Sequence, residues 1–360
     1  MRILVINGPN LDLLGTREPE VYGSTTLADL NTMIGEWGAD LGVAVSSRQT
    51  NSEAEIIDLI HDFDCEGLVI NPGALTHTSH AIADAIRGVS PPAVEVHISN
   101  VRRREPWRAV SLVSDACVRT IYGRGMTGYR DAMRHLVNRA AVAFDTVAYG
   151  PHRDNVGDLR RATGQTLVVL SHGGFWRGEY ERDTTESLAV DLTRRGYHTW
   201  NIEYRRLDEG GGWPASGQDV LTALDHVPLL GLEHSRVVLI GHSAGAHLAM
   251  WAAARSSTEV AMHVALAPVL DLQAAVDHDD PGAKESLAIL IDGAPSVVEP
   301  GKVPTVIVHG DNDDIVPVAR SVAFVAQHGI EHHRSDCGHF SLLDPRRPEW
   351  DWVIDRIGPA

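Results

Sequence analysis

Two sets of residues in this 360-residue chain have the types and spacing to do chemistry. The first is spread over residues 7–100. Asn7-Gly8-Pro9-Asn10 follows one short apolar run, Asn71-Pro72-Gly73 with Thr76-His77 follows another, and Glu95-Val96-His97-Ile98-Ser99-Asn100 closes a third. Arg17 and Tyr22 lie five residues apart in a Gly- and Pro-containing stretch, residues 14–23, of a kind that often forms a lid. Tyrosine is a poor base near pH 7, but an adjacent guanidinium favours its phenolate. Tyr22 could then take a proton from a carbon beside a carbonyl while His97 protonates a departing hydroxyl. The plainer readings are an Asn that only shapes a turn, a Tyr22 that packs one and a solvated Arg17, and residue types alone leave both sets open.

The second set is a nucleophile with its supports. Gly241-His242-Ser243-Ala244-Gly245 sits between an apolar run and a helical pattern, the setting in which Gly-x-Ser-x-Gly exposes a serine on a sharp turn. Upstream, His172-Gly173-Gly174-Phe175-Trp176 follows another apolar run, where small residues let backbone N–H groups face a developing oxyanion. Gly173, Gly174 and Phe175 together with Ala244 are the expected donors. Downstream, Gly310-Asp311-Asn312-Asp313-Asp314 offers an acid and Cys337-Gly338-His339-Phe340 a histidine. The order Ser243, Asp313, His339 is that of a serine triad on this kind of sheet, with Asp314 as the fallback acid. His332 and His333 fall in an expected strand and read as structural or exposed. Trp176, Trp213 and Phe340 read equally as an acyl or aryl pocket and as core.

The elements that must hold these residues alternate in period. Over residues 1–145, strand-like runs at 3–6, 43–47, 68–70, 93–96 and 117–121 are separated by helical patterns at 26–41, 52–62, 79–87 and 128–142. Such alternation predicts a parallel sheet covered by helices, and five strands suggest a flavodoxin-like order. The alternation restarts near residue 150, with strands at 166–170, 197–202, 236–240, 263–267 and 305–309 and helices such as 184–195 and 218–226. Tyr149-Gly150-Pro151-His152-Arg153-Asp154-Asn155 reads as the junction. In open α/β sheets ligands bind beyond the carboxyl ends of the strands, where both sets of residues are expected.

Composition excludes several chemistries. The formal net charge is −17, divided −5 through Asp145 and −12 beyond, which argues against nucleic acid or anionic lipid as a partner. Only Lys284 and Lys302 are lysine, so neither a lysine imine nor a Gly-Lys phosphate loop exists in the first 283 residues. Cys65, Cys117 and Cys337 are too few and too scattered for a disulfide framework or a cysteine zinc site. No metal and no cofactor is expected. The chain starts on a strand-like run without a leader pattern and has no apolar run of about 18 residues, so a cytoplasmic location without a membrane segment is expected.

The four motifs of the first set, in order over residues 1–143, resemble the type II 3-dehydroquinate dehydratases: Asn7–Leu11, Arg17-Glu18-Pro19 with Tyr22-Gly23, Asn71–His77 and Glu95–Asn100. The resemblance implies dehydration of 3-dehydroquinate to 3-dehydroshikimate through an enolate, without metal or cofactor. It implies Tyr22 as proton acceptor, Arg17 as the group that keeps it ionised, His97 as proton donor with Glu95 orienting it, and Asn10 holding water or the enolate oxygen. Asn71, His77, Ile98, Ser99 and Arg108 would bind substrate hydroxyls and carboxylate, and Asp84 would reach a neighbouring subunit of a trimer-based homo-oligomer, usually a dodecamer. Arg102-Arg103-Arg104 and Pro106-Trp107 depart from the common family wording and loosen the assignment of Arg108. The second set, over about 150–350, resembles α/β-hydrolases of the carboxylesterase and kynurenine formamidase branch, with support from Asn201–Arg205 and Gly212-Trp213-Pro214. The segment 283–304 is short for the lid of that branch, which leaves the hydrolase substrate open.

The expected architecture is therefore α/β in two domains: residues 1–145, a dehydratase-like unit with a five-stranded parallel sheet, and residues 146–360, an α/β-hydrolase unit. The expected function is a hydro-lyase fused to a serine hydrolase acting on an ester or formamide, in shikimate synthesis or quinate breakdown, with small molecules as substrates. The alternatives are an active dehydratase carrying a silent hydrolase-fold scaffold, and a ligand-binding module feeding a hydrolase.

Overall fold

The computed structural model describes residues 1–272, 284, 288 and 298–360. Most of the segment 283–304, expected to be short for a lid, lies outside the described residues. The chain forms two compact units, Met1–Ala140 and Ala141–Ala360.

The first unit is a parallel sheet of β1 (Arg2–Asn7), β2 (Ala44–Gln49), β3 (Gly67–Asn71), β4 (Ala93–His97) and β5 (Arg119–Tyr122), in the order β2-β1-β3-β4-β5. All five expected strands are present, in the flavodoxin-like order. β3 and β4 are buried throughout, as strands covered on both faces must be. One face packs Val5, Val69, Val94 and Val96 against Leu30 and Ile34 of helix Leu27–Asp40 and Met133 and Leu136 of helix Thr127–Ala141. The other packs Leu4, Ile6, Leu68 and Ile70 against Ile56, Ile60, Ile82 and Ile86 of helices Glu53–Asp62 and His80–Gly88. Each such side chain contributes about 1.5–3 kcal/mol on burial. Thr26, Ser52 and Ser79 accept the first free N–H groups of three of these helices and set where they start.

The second unit holds eight strands: β6 (Asp145–Ala148), β7 (Val156–Arg160), β8 (Thr166–Ser171), β9 (His198–Ile202), β10 (Arg236–His242), β11 (Met262–Leu266), β12 (Thr305–Gly310) and β13 (Glu331–Ser335). Their order is β13-β12-β11-β10-β8-β9-β7-β6. β8 through β13 pair in parallel, so the carboxyl ends of β8, β10, β12 and β13 share one edge. β7 is antiparallel to both β6 and β9.

That hairpin differs from the expected junction. Tyr149–Asn155 is the turn between β6 and β7, closed by Tyr149 N–H on the Asn155 carbonyl at 2.8 Å and Tyr149 Oη on the Glu203 carbonyl at 2.5 Å. Gly, Pro and Asn mark a turn there, but one inside the second unit. The compact units divide at Ala140/Ala141, ahead of the expected 145/146, because β6 pairs with β7 of the second sheet. Among the described residues no helix is long and apolar enough to cross a membrane.

Candidate active sites

In the first unit the last residues of β3 and β4, Asn71 and His97, and the stretch that follows β1 meet at one cavity. It is lined by Asn10, Arg17, Tyr22, Asn71, His77, His97, Ile98, Ser99 and Arg108 of the expected set, and also by Arg104. The expected proton donor is held from behind. Glu95, fully buried, meets His97 Nε2 at 2.9 Å, and its carboxylate also accepts from the hydroxyls of Thr76, Ser111 (2.9 and 3.0 Å) and Thr120 (3.1 Å). Burial pushes the Glu95 carboxyl up, yet His97 and the hydroxyl donors outweigh it, so the group lies below the ordinary carboxylate range. Thr76, Ser111 and Thr120 were not legible as a set because the sheet assembles them from three separate stretches.

Tyr22 has two cations near its ring. The Arg17 guanidinium sits 5.8 Å from the Tyr22 ring centroid and pairs with Glu18 at 3.1 Å. The hydrogen bond to the phenolic oxygen comes instead from Arg104 Nη1, at 2.6 Å. Partial burial disfavours the Arg104 charge, but the hydrogen bond to Tyr22, with Glu105 and Glu18 nearby, holds it above the usual guanidinium value. The sequence presented Arg104 only as one of three consecutive arginines, with no sign of which one turns inward.

Asn71 is buried and committed on both sides of its amide. Nδ2 donates to Tyr129 Oη at 2.9 Å, Oδ1 accepts from Gly73 N–H at 3.2 Å, and Tyr129 in turn donates to Asn7 Oδ1 at 2.6 Å. Asn10 is exposed at the rim, in the left-handed region at φ 66°, with its N–H on Asn51. His77 Nδ1 meets the Val110 carbonyl at 2.7 Å, and Arg108 pairs with Glu105 at 2.7 Å while lying over Trp107. Asp84 is on the outer face of helix His80–Gly88, exposed and paired with Arg87 at 3.1 Å; it does not line its own chain's cavity.

In the second unit Ser243 follows β10 and precedes helix Ala244–Ala253, at φ 52° and ψ −119°, a strained conformation for a residue with a side chain. The two glycines of the motif are steric necessities. A Cβ on Gly245 would stand 2.2 Å from the His172 carbonyl oxygen, and one on Gly241 would stand 2.5 Å from Ala246 Cα. Gly173 is also pressed close, since its Cβ would lie 2.7 Å from His242 Nδ1 and 2.9 Å from Ser243 Cβ. The loop after β8 therefore packs directly on the serine, and Gly174, Phe175 and Trp176 all have positive φ in it.

His339, buried, directs Nδ1 at Asp313 Oδ2, 2.7 Å away. Asp313 also accepts from the N–H groups of Ile315 and Val316 at 2.9 and 2.7 Å, and lies 3.1 Å from His309 Nε2. Burial raises this carboxyl, but the bonds from His309 and His339 bring it far below the carboxylate range. The histidine's partner is thus Asp313; Asp314 is exposed. His333 stacks on Trp352 at 4.6 Å, on β13. Trp176 is buried and Trp213 part-buried, both edge-on to His247, while Phe340 is half exposed beside His339. Among the described residues no cluster of His, Cys, Asp and Glu has the arrangement of a metal site.

Comparison with known proteins gives each unit separate relatives. Residues 1–137 match the family model described as Dehydroquinase class II. Residues 159–281 match the one described as BD-FAE and residues 227–351 the one described as Serine hydrolase. The first unit is 52% identical over 136 residues to a catabolic 3-dehydroquinase of Neosartorya fischeri, covering 37% of this chain and 91% of that protein. It is 51% identical over 142 residues to a 3-dehydroquinate dehydratase of Ralstonia nicotianae, covering 38% of this chain and 92% of that protein. Among solved structures an esterase of Pyrococcus furiosus is similar with a TM-score of 0.50 and 17% identity, covering 61% of this chain and 91% of that one, a likeness of fold.

Proposed function

Through its first unit the chain belongs to the class II dehydroquinase family, and from that premise we propose that this unit dehydrates 3-dehydroquinate to 3-dehydroshikimate. The carrying observation is that one cavity is lined both by a tyrosine close to two guanidinium groups and by a histidine backed by a buried carboxylate. Tyr22, as phenolate, takes the proton beside the ketone; the developing enolate is met by polar groups at the Asn10 rim. Glu95 holds His97 Nε2, so the proton delivered to the leaving hydroxyl comes from Nδ1. His77, Arg108 and the Ile98 and Ser99 backbone hold the substrate, with Asn71 as a fixed wall. Asp84, exposed, is available to a neighbouring copy in a trimer-based assembly. The test is ultraviolet absorbance of the conjugated enone formed when the purified chain meets 3-dehydroquinate. No absorbance gain over buffer rejects the reading.

The second unit, an α/β-hydrolase fold, acts in this proposal as a serine hydrolase on an ester or formamide. Ser243 attacks the carbonyl, His339 Nε2 relays the proton because Asp313 holds Nδ1, and N–H groups of Gly173–Phe175 and Ala244 receive the oxyanion. A panel of esters and formamides, with fluorophosphonate labelling of wild type and of Ser243→Ala, tests this. Labelling that survives Ser243→Ala, or no turnover of any member, favours the silent-scaffold alternative.

A further inference from the structure

The residue at the base of the 172–176 loop has a chemistry that the triad does not use. His172 is completely buried at the end of β8. Its Nδ1 lies 2.7 Å from the Gly173 carbonyl oxygen and its Nε2 lies 2.7 Å from Glu203 Oε1. A carbonyl oxygen can only accept, so Nδ1 must carry a hydrogen. One further proton lies between Nε2 and Glu203, and the other neighbours of that carboxylate decide which side holds it. Arg206 Nη1 and Tyr204 N–H donate to Oε1, the latter at 3.1 Å, and Arg182 N–H donates to Oε2 at 2.9 Å with the Arg182 guanidinium 3.7 Å away. Every one of these neighbours is a donor and two are cations, so the ionised carboxylate is the form they stabilise.

We propose that His172 is a buried imidazolium fixed by Glu203, and that its Nδ1–H grip on the Gly173 carbonyl positions the oxyanion loop beside Ser243. This rests on the hydrolase reading of the second unit. The mechanism follows from peptide planarity. The Gly173 carbonyl and the Gly174 N–H belong to one trans peptide, so holding the oxygen on the imidazole side turns that N–H to the opposite side. Gly173 has no room for a side chain, since a Cβ there would stand 2.7 Å from His242 Nδ1 and 2.9 Å from Ser243 Cβ. The ring cannot swing either. Tyr204 stacks on it at 4.3 Å and 12°, and the Tyr204 hydroxyl donates to the His172 carbonyl at 2.7 Å. A burial this deep is tolerated because the charge is paired and every polar atom of the ring is bonded. The loop's N–H donors are thus held in place beforehand by a paired, immobile ring, which is what stabilisation of a substrate oxyanion requires. His172 touches no substrate in this scheme; it is a positioning residue.

The test uses the full chain. Neutron diffraction from crystals exchanged into deuterium oxide reads the charge directly: deuterium on both Nδ1 and Nε2 of His172 is expected, and one bare ring nitrogen or a deuterated Glu203 carboxyl overturns the proposal. Kinetics read the positioning, with an ester that wild type turns over. His172→Ala is expected to lower kcat by about 10²-fold with KM within about twofold, the scale of one lost oxyanion donor. His172→Asn, which restores an N–H near the Nδ1 position, is expected to recover at least part of that loss, and the thermal unfolding transition of the second unit, unchanged from wild type in each variant, monitors its integrity. Wild-type kcat in His172→Ala, or no recovery in His172→Asn, overturns the positioning role. If wild type neither hydrolyses esters nor takes up fluorophosphonate, the hydrolase reading fails and the positioning role fails with it, while the neutron result still decides the charge.

Discussion

Arg104→Met is the most informative single change in the first site. The side chain it removes donates from Nη1 to Tyr22 Oη at 2.6 Å and is only 16% exposed, so water screens the contact incompletely. Two unit charges about 4 Å apart interact by about 4 kcal/mol at an effective dielectric constant of about 20. Water entering the vacated space returns part of that, and the net value of a hydrogen bond to a charged group is about 1.5–3 kcal/mol. If that energy stabilises the phenolate that attacks substrate, kcat/KM falls by about 10- to 150-fold. Arg17, 5.8 Å from the ring, remains as the second cation and keeps the loss from being complete. Arg104→Lys keeps a charge without the planar fork and is expected to fall between the two. The assay is the initial rate of enone absorbance over a range of 3-dehydroquinate concentrations. An Arg104→Met enzyme within twofold of wild type in kcat/KM refutes the assignment and returns the role to Arg17 alone.

Three further outcomes are expected. Glu95→Gln keeps the shape of a fully buried, five-bonded carboxylate but removes its charge, so kcat for dehydration falls by up to about 10²-fold with KM unchanged; a wild-type kcat would show that the carboxylate does not orient His97. Asp313→Asn lowers ester kcat by about 10⁴-fold by presenting the wrong face to His339, whereas the exposed Asp314→Asn leaves it within a few fold; equal effects would mean the acid is shared. His247 and His263 are buried and pushed down to about 3 by desolvation. Their folded values lie below the unfolded one near 6.5, so the stability they confer is complete above pH 6.5 and is withdrawn as pH falls, by up to about 1.4 kcal/mol per pH unit each. The Tm of the second unit should therefore drop between pH 6.5 and 5, above the carboxylate range, and a flat Tm there contradicts the sign.

The first unit was legible because its functional residues are local words placed at strand ends: Asn7-Gly8-Pro9-Asn10, Asn71-Pro72-Gly73 and Glu95–Asn100 each carry both the turn and the side chain. What periodicity could not supply was tertiary choice. Arg102, Arg103 and Arg104 are equivalent as letters, and only the packing of the 101–110 stretch selects Arg104 for Tyr22. In the same way Asp313 and Asp314 differ by one residue of backbone, and the choice depends on which carboxylate meets the N–H groups of Ile315 and Val316. The β6–β7 hairpin was hidden for another reason. Four-residue β6 is mostly exposed and gains its place by pairing with β7 rather than by an apolar run, so its Gly–Pro turn read as a junction. The ionic cluster at Glu203 was hidden in plain charged letters, since nothing in Asn201–Arg205 announces that the glutamate faces inward at the end of β9.

In the proposed function one chain carries two independent catalytic centres of different chemistry. The direct measurement is a crossed assay of Tyr22→Phe and Ser243→Ala in the full chain, with dehydration of 3-dehydroquinate and fluorophosphonate labelling read on each. The expected result is that Tyr22→Phe loses dehydration and keeps labelling, while Ser243→Ala loses labelling and keeps dehydration. Unchanged dehydration in Tyr22→Phe, or equal labelling of wild type and Ser243→Ala, would contradict it.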